Sequence, residues 1–151
     1  MFIGHFAVAY AAKRLAPRSS LGTLFFAAQF LDLLWPFLVL AGIERLSLAP
    51  PGTVFPLTFE HYPWSHSLLF ALIWGFVIGG AYWSLRRDRR AALVIGALVL
   101  SHWFLDLVVH VPDLPLWPGG SALLGLGLWN TPLVALALEF ALLAGGAALY
   151  L

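Results

Sequence analysis

Residues 91–111 read AALVIGALVLSHWFLDLVVHV, an apolar run interrupted only by Ser101 and by three ionisable residues, His102, Asp106 and His110. A run of this length crosses the ~30 Å hydrocarbon core of a bilayer as a single helix. Three more segments meet the same requirement: Leu21 to Ile43, His66 to Leu85 and Thr131 to Leu151. The chain as a whole is 62% hydrophobic and 10% charged, too apolar to cover a soluble core with a polar surface. The expected fold is therefore an all-α integral membrane four-helix bundle, formed as one domain over residues 1–151.

Basic residues orient the spans. Lys13, Arg14 and Arg18 precede the first, and Arg86-Arg87-Asp88-Arg89-Arg90 joins the second to the third. Both clusters are expected on the cytoplasmic side, with both termini inside. The connections Glu44 to Ser65 and Pro112 to Asn130 should face outward, with Tyr62, Trp64, Trp117 and Trp129 at the headgroup level. A net charge of +1 gives no reason to expect a nucleic-acid partner. The absence of cysteine excludes thiolate ligands and disulfides, so any metal must be held by His, Asp or Glu.

The segment from about residue 2 to residue 16 is too short to span, and Pro17 favours its termination. Lys13 and Arg14 follow its apolar stretch instead of preceding it, unlike a signal peptide, so retention is expected. It is either a re-entrant half-helix, which would lift His5 about 12 Å towards the midplane, or a helix lying flat on the inner surface. Gly75-Phe76-Val77-Ile78-Gly79, and Gly145 with Gly146, are small-residue patterns that permit close helix packing.

Ionisable residues at membrane depth are costly and generally face a bundle interior or a wet cavity. Here Asp32, His102, Asp106 and Glu139 lie within spans, and His66 and His110 lie at their outer ends. His102, Asp106 and His110 share one helical face, and the first two can reach one divalent cation. His110, about 12 Å along the axis from His102, is expected to serve a neighbouring metal or a substrate. Pro36 should remove the hydrogen bond to the Asp32 carbonyl and kink the helix there, leaving either a cation site or an ordinary proline kink. Glu139 is open to three readings: a further carboxylate ligand, a general base, or a protonated group bonded to another helix. Ser65 and Ser67 flank His66, but sequence neighbours are poor evidence for a nucleophile and its base.

Taken in order, Gly4-His5, Gln29-Phe30-Leu31-Asp32, Trp64-Ser65-His66-Ser67 and Ser101-His102-Trp103-Phe104-Leu105-Asp106 resemble a known family. It is that of the small membrane-bound metal-dependent hydrolases described as LexA-binding and inner-membrane-associated. That family is distantly similar to zinc-dependent phospholipase C. The resemblance implies His5, Asp32, His66, His102 and Asp106 as metal ligands, with His110 and Glu139 as further ligands or catalytic groups. It also implies zinc, or else manganese, as the metal, a bacterial inner membrane as the location, and a lipid or other membrane-proximal phosphoester as substrate. Two departures stand out. The family has Pro-Asp-x-Asp where this chain has Gln29-Phe30-Leu31-Asp32, and Gly-x-Thr-His-Ser where it has Tyr62-Pro63-Trp64-Ser65-His66-Ser67.

Two other functions compete with hydrolysis. The same residues could form the relay of an ion- or proton-coupled transporter, with a homodimer supplying a second half. They could also be a polar network that only fastens helices together.

Overall fold

The computed structural model describes residues 1–53 and 56–151. Seven α-helices dominate it: α1 (Gly4–Ala12), α2 (Leu21–Ala28), α3 (Phe30–Leu40), α4 (Pro63–His66), α5 (Leu68–Arg86), α6 (Arg89–Val109) and α7 (Pro132–Tyr150). Two antiparallel ladders lie in the connections, where only loops were expected. Strand β1 (Arg45–Leu48) pairs with β2 (Leu57–His61), and β3 (Leu114–Pro115) with β4 (Leu123–Leu124).

Helices α5, α6 and α7 are each long and apolar enough to cross a membrane. Together α2 and α3 pass the same test, but as a pair bent by 54°. The bend falls at Gln29 and not at Asp32, although Pro36 lies inside α3 as the sequence suggested. At the bend the Ala28 carbonyl leaves the helical ladder and accepts a hydrogen bond from His102 Nδ1 at 2.8 Å. A break that would otherwise orphan a backbone acceptor is satisfied by a side chain from α6.

The short helix α1 does not lie along the outside of the molecule. It packs against α2, α6 and α7, burying Gly4, His5, Ala7, Ala9 and Ala12. Small residues make this possible: a Cβ on Gly146 of α7 would stand 2.3 Å from the Ala7 carbonyl oxygen. Gly145 has nothing within 4 Å of the equivalent position, so only one of the two adjacent glycines performs the packing role. The α5–α6 contact is equally close, with a Cβ on Gly75 reaching 2.8 Å from the Gly96 oxygen and one on Gly79 reaching 2.7 Å from the Ala92 oxygen.

The basic clusters meet at one end of the molecule. Ser19 Oγ bonds the Tyr82 hydroxyl at 2.9 Å, and Arg18 shares a pocket with Arg86, Arg87 and Arg89. At ~1.5 Å per residue, Asp106 lies about 25 Å along α6 from Arg89. The histidines therefore sit towards the opposite end.

Gly146→Leu should drive α1 off α7 and lower the thermal unfolding midpoint in detergent, whereas Gly145→Leu should leave it within error. Equal effects of the two would refute the packing role given to Gly146.

Candidate metal centre

The segments that carry the polar residues are brought to one point. α1 contributes His5, α3 contributes Asp32, α4 contributes His66, and α6 contributes His102 and Asp106, with His110 immediately after its end. Asp106 is the hub, 2% exposed. Its Oδ1 lies 3.2 Å from His5 Nε2 and 2.5 Å from the Met1 amino group. Its Oδ2 lies 3.2 Å from His102 Nε2, 3.8 Å from His66 Nε2 and 3.9 Å from His110 Nε2. Asp32 Oδ1 stands on the other side, 3.3 Å from His66 Nε2 and 3.5 Å from His102 Nε2.

Hydrogen bonds at the far side of three rings settle which nitrogen carries the proton. The Ala28 carbonyl can only accept, so His102 Nδ1 donates to it. Ser65 Oγ donates to Glu44 Oε2 at 2.7 Å, so it accepts from His66 Nδ1, also at 2.7 Å. Asp113 Oδ1 lies 2.9 Å from His110 Nδ1 and accepts from it, while also accepting from the Tyr62 hydroxyl at 2.9 Å. In the neutral ring, all three Nε2 atoms then turn lone pairs towards the carboxylates of Asp32 and Asp106, although His66 Nε2 is also within hydrogen-bond distance of Asp32 Oδ1, at 3.3 Å, a bond that needs a proton on that nitrogen. Lone pairs facing carboxylate oxygens repel unless a cation or a proton lies between them. Imidazoles oriented by an outer acceptor are the usual arrangement at metal sites.

His5 adds a fourth ring, stacked on His102 with centroids 3.7 Å apart and planes 6° from parallel. Its Nε2 is close to Asp106 but not aligned with it. Among the described residues, neither His5 nitrogen nor His102 Nε2 makes a hydrogen bond, although all are buried. Parallel stacking at this distance disfavours charging both rings.

The spacings fit a cation. Two donors held about 2.1 Å from a tetrahedral zinc lie about 3.4 Å apart, and the separations of 3.2, 3.3 and 3.5 Å match that closely. Two donor sets have all their atoms within 4.8 Å of one another: His5, Asp32 and His102, and His66, His102 and Asp106. All five ligands implied by the resemblance thus belong to one or both sets. His110, expected to serve a neighbouring metal or a substrate, turns its Nε2 towards Asp106 at 3.9 Å and lines the adjoining cavity.

Glu139 is brought to the same region for a different reason. Its Oε2 accepts from the backbone N–H of Phe2 at 2.9 Å and of Gly4 at 3.2 Å. It anchors the start of α1 and so positions His5. Phe30, where the resemblance would call for an aspartate, packs its ring 5.6 Å from that of Trp74, centroid to centroid.

Several members of the site carried little sequence signal. Glu44 was assigned to an outward-facing connection, yet it is 1% exposed and receives both the N–H and the hydroxyl of Ser65. Ser65 itself was detectable, as a hydroxyl immediately before a histidine. Asp113 lies three residues after His110, beyond the end of α6, and Tyr62 was placed at the membrane interface. Instead Tyr62 is buried with its ring centroid 5.4 Å from that of His66, and its burial and the Asp113 carboxylate hold the phenol well above its ordinary pKa range.

A cavity of about 420 Å³ opens from this cluster, lined by Asp32, Asp106 and His110 and by the rings of Trp35, Phe59 and Trp129. Trp129 lies 4.2 Å from the His110 ring, centroid to centroid. The cavity has a charged floor and aromatic walls. No family model, curated protein or solved structure matches this chain.

Two predictions separate orienting groups from ligands. Ser65→Ala should weaken divalent-metal affinity by roughly 10- to 100-fold without unfolding the protein, as measured by competition with a chromogenic chelator. Glu139→Gln, which keeps an acceptor for α1, should retain metal while Asp106→Asn loses it. Loss of metal in both would make Glu139 a ligand.

Proposed function

We propose that this chain is a membrane-embedded hydrolase of phosphoesters, dependent on zinc or manganese and acting on a lipid or another substrate at the bilayer surface. In this reading α2 with α3 forms the first of four spans, and the basic end faces the cytoplasm. The observation that carries the proposal is the convergence of His66, His102 and His110 through Nε2 on Asp32 and Asp106, each ring oriented by an outer acceptor. A transporter relay needs groups strung along a path, and a packing network needs donors matched to acceptors. Here four imidazoles and two carboxylates crowd one point, and both His5 nitrogens and His102 Nε2 are buried without a hydrogen bond among the described residues, which favours a shared metal ion over either alternative.

His5, Asp32, His66, His102 and Asp106 would hold the metal. When bound, such an ion lowers the pKa of a water molecule and offsets negative charge that develops on phosphoryl oxygen. The remaining residues serve the reaction around it. Asp113 fixes His110 as the Nδ1–H tautomer, leaving Nε2 to take up a proton at the site and return it to a leaving oxygen. As the imidazolium forms, the same carboxylate stabilises it. Tyr62 stays a phenol, so its O–H remains on Asp113 and limits the rotation of that carboxylate. Trp35, Phe59 and Trp129 exclude water and give apolar walls suited to the hydrocarbon part of an amphiphile.

Detergent-purified protein should contain stoichiometric zinc or manganese and hydrolyse a fluorogenic phospholipid in mixed micelles. Asp106→Ala should lose both the metal and the activity. His110→Gln should keep the metal and slow turnover by about 10²- to 10⁴-fold. Wild-type protein that neither carries nor takes up a metal would sink the proposal, and a metal-loaded protein inert towards phosphoesters would sink its hydrolytic part.

A further inference from the structure

The basic end of the molecule, remote from the histidines, carries two cavities that share one residue. The first, about 440 Å³, is an apolar groove between α5 and α6, lined by Gly75, Gly79 and Gly96 where the helices touch and by Leu72, Phe76 and Leu93. At its basic end Arg89 lies over the Trp83 ring, 5.6 Å from the centroid. The second cavity, about 760 Å³, is lined by Arg18, Arg86, Arg87 and Arg89, with Ser20 and Thr23. Among the described residues these four arginines form no ion pair, and Asp88 uses Oδ1 to cap α6 at the Ala91 N–H.

We propose that the two cavities together bind one anionic phospholipid, with its phosphate among the arginines and an acyl chain in the α5–α6 groove. The proposal is independent of the metal centre. A helix face that meets lipid leaves an apolar groove to hydrocarbon, and guanidinium groups bind phosphate through paired N–H donors. Basic pockets beside membrane helices are suited to anionic headgroups. Arg89 belongs to both cavities, which places the change from charged to apolar where a phospholipid has it. Charge selects against a second copy of the chain in a parallel side-by-side pairing, because that would bring the same arginines together.

The test is native mass spectrometry of the detergent-purified protein titrated with phosphatidylglycerol, phosphatidylcholine or inorganic phosphate. Phosphatidylglycerol should be retained in preference to phosphatidylcholine, and Arg86→Gln and Arg89→Gln should each weaken it roughly five-fold. Arg14→Gln, outside both cavities, should have no effect. Gly80→Phe fills the groove from a position whose Cβ meets nothing within 4 Å, so it should expel lipid while leaving helicity unchanged. Four results would each overturn the proposal: equal retention of the two lipids, equal effects of Arg14→Gln and Arg89→Gln, phosphate binding as tightly as lipid and unaffected by Gly80→Phe, or a dimer that Gly80→Phe dissociates. Should the arginine variants fail to fold, Gly80→Phe with the two-lipid comparison decides the matter alone.

Discussion

A carboxylate buried in an apolar helix sets the terms for the rest of this molecule. Asp106 is nearly inaccessible, and an ion of its size left alone in a low-dielectric interior costs several kcal/mol even after relaxation. The Met1 amino group against its Oδ1 supplies one counter-charge, and in the proposed reading a metal ion shared with its neighbours supplies the rest. Four imidazoles surround it, drawn from α1, α4, α6 and the residue that caps α6, and a second carboxylate, Asp32, closes the far side. The bend between α2 and α3 supplies His102 with an acceptor. The short helix α1 enters the bundle and brings His5 onto His102. Each feature costs the fold something in regular hydrogen bonding or in helix length, and each serves the same cluster.

The groups behind the histidines matter as much as the histidines. Glu44, Ser65, Asp113 and the Ala28 carbonyl touch only the outer nitrogens, or the groups that do, and by holding protons there they turn the inner nitrogens towards the two carboxylates. In the proposed reading, this is what prepares the rings for a metal ion. Donors and acceptors pair around the rim, while at the centre both His5 nitrogens and His102 Nε2 go without a hydrogen bond among the described residues. The cavity with aromatic walls then gives the centre an approach suited to something part polar and part hydrocarbon.

Much of this was legible in the sequence because the bilayer is a strict solvent. Length and hydropathy outlined α5, α6 and α7, and helical spacing placed His102 and Asp106 on one face. The expense of charge at depth singled out Asp32, His66 and Glu139. The Gly75-Gly79 pair foretold the close α5–α6 contact, and Gly146 the seat of α1, though its neighbour Gly145 has no such part. What depended on tertiary partners was not legible. The bend lies at Gln29 and not at Asp32, because the carbonyl freed there has an acceptor's role towards α6 that no local pattern records. Glu44 opens a connection in which nothing local marks it for the site, and Tyr62 resembles an interfacial aromatic until Asp113 and the rings of His66 and His110 are placed beside it. His110 faces Asp106 from one turn further on, as helical spacing indicated, but its outer partner Asp113 lies beyond the helix and carried no signal.

The claim at the centre is that several imidazoles hold one kind of metal ion through Nε2. Zinc K-edge X-ray absorption of the zinc-loaded protein in detergent tests it most directly. The expected spectrum shows nitrogen and oxygen neighbours at about 2.0–2.1 Å, with outer-shell scattering from two or more imidazole rings that weakens in His102→Ala. A spectrum of oxygen neighbours alone, without imidazole scattering and unchanged by that substitution, would contradict it.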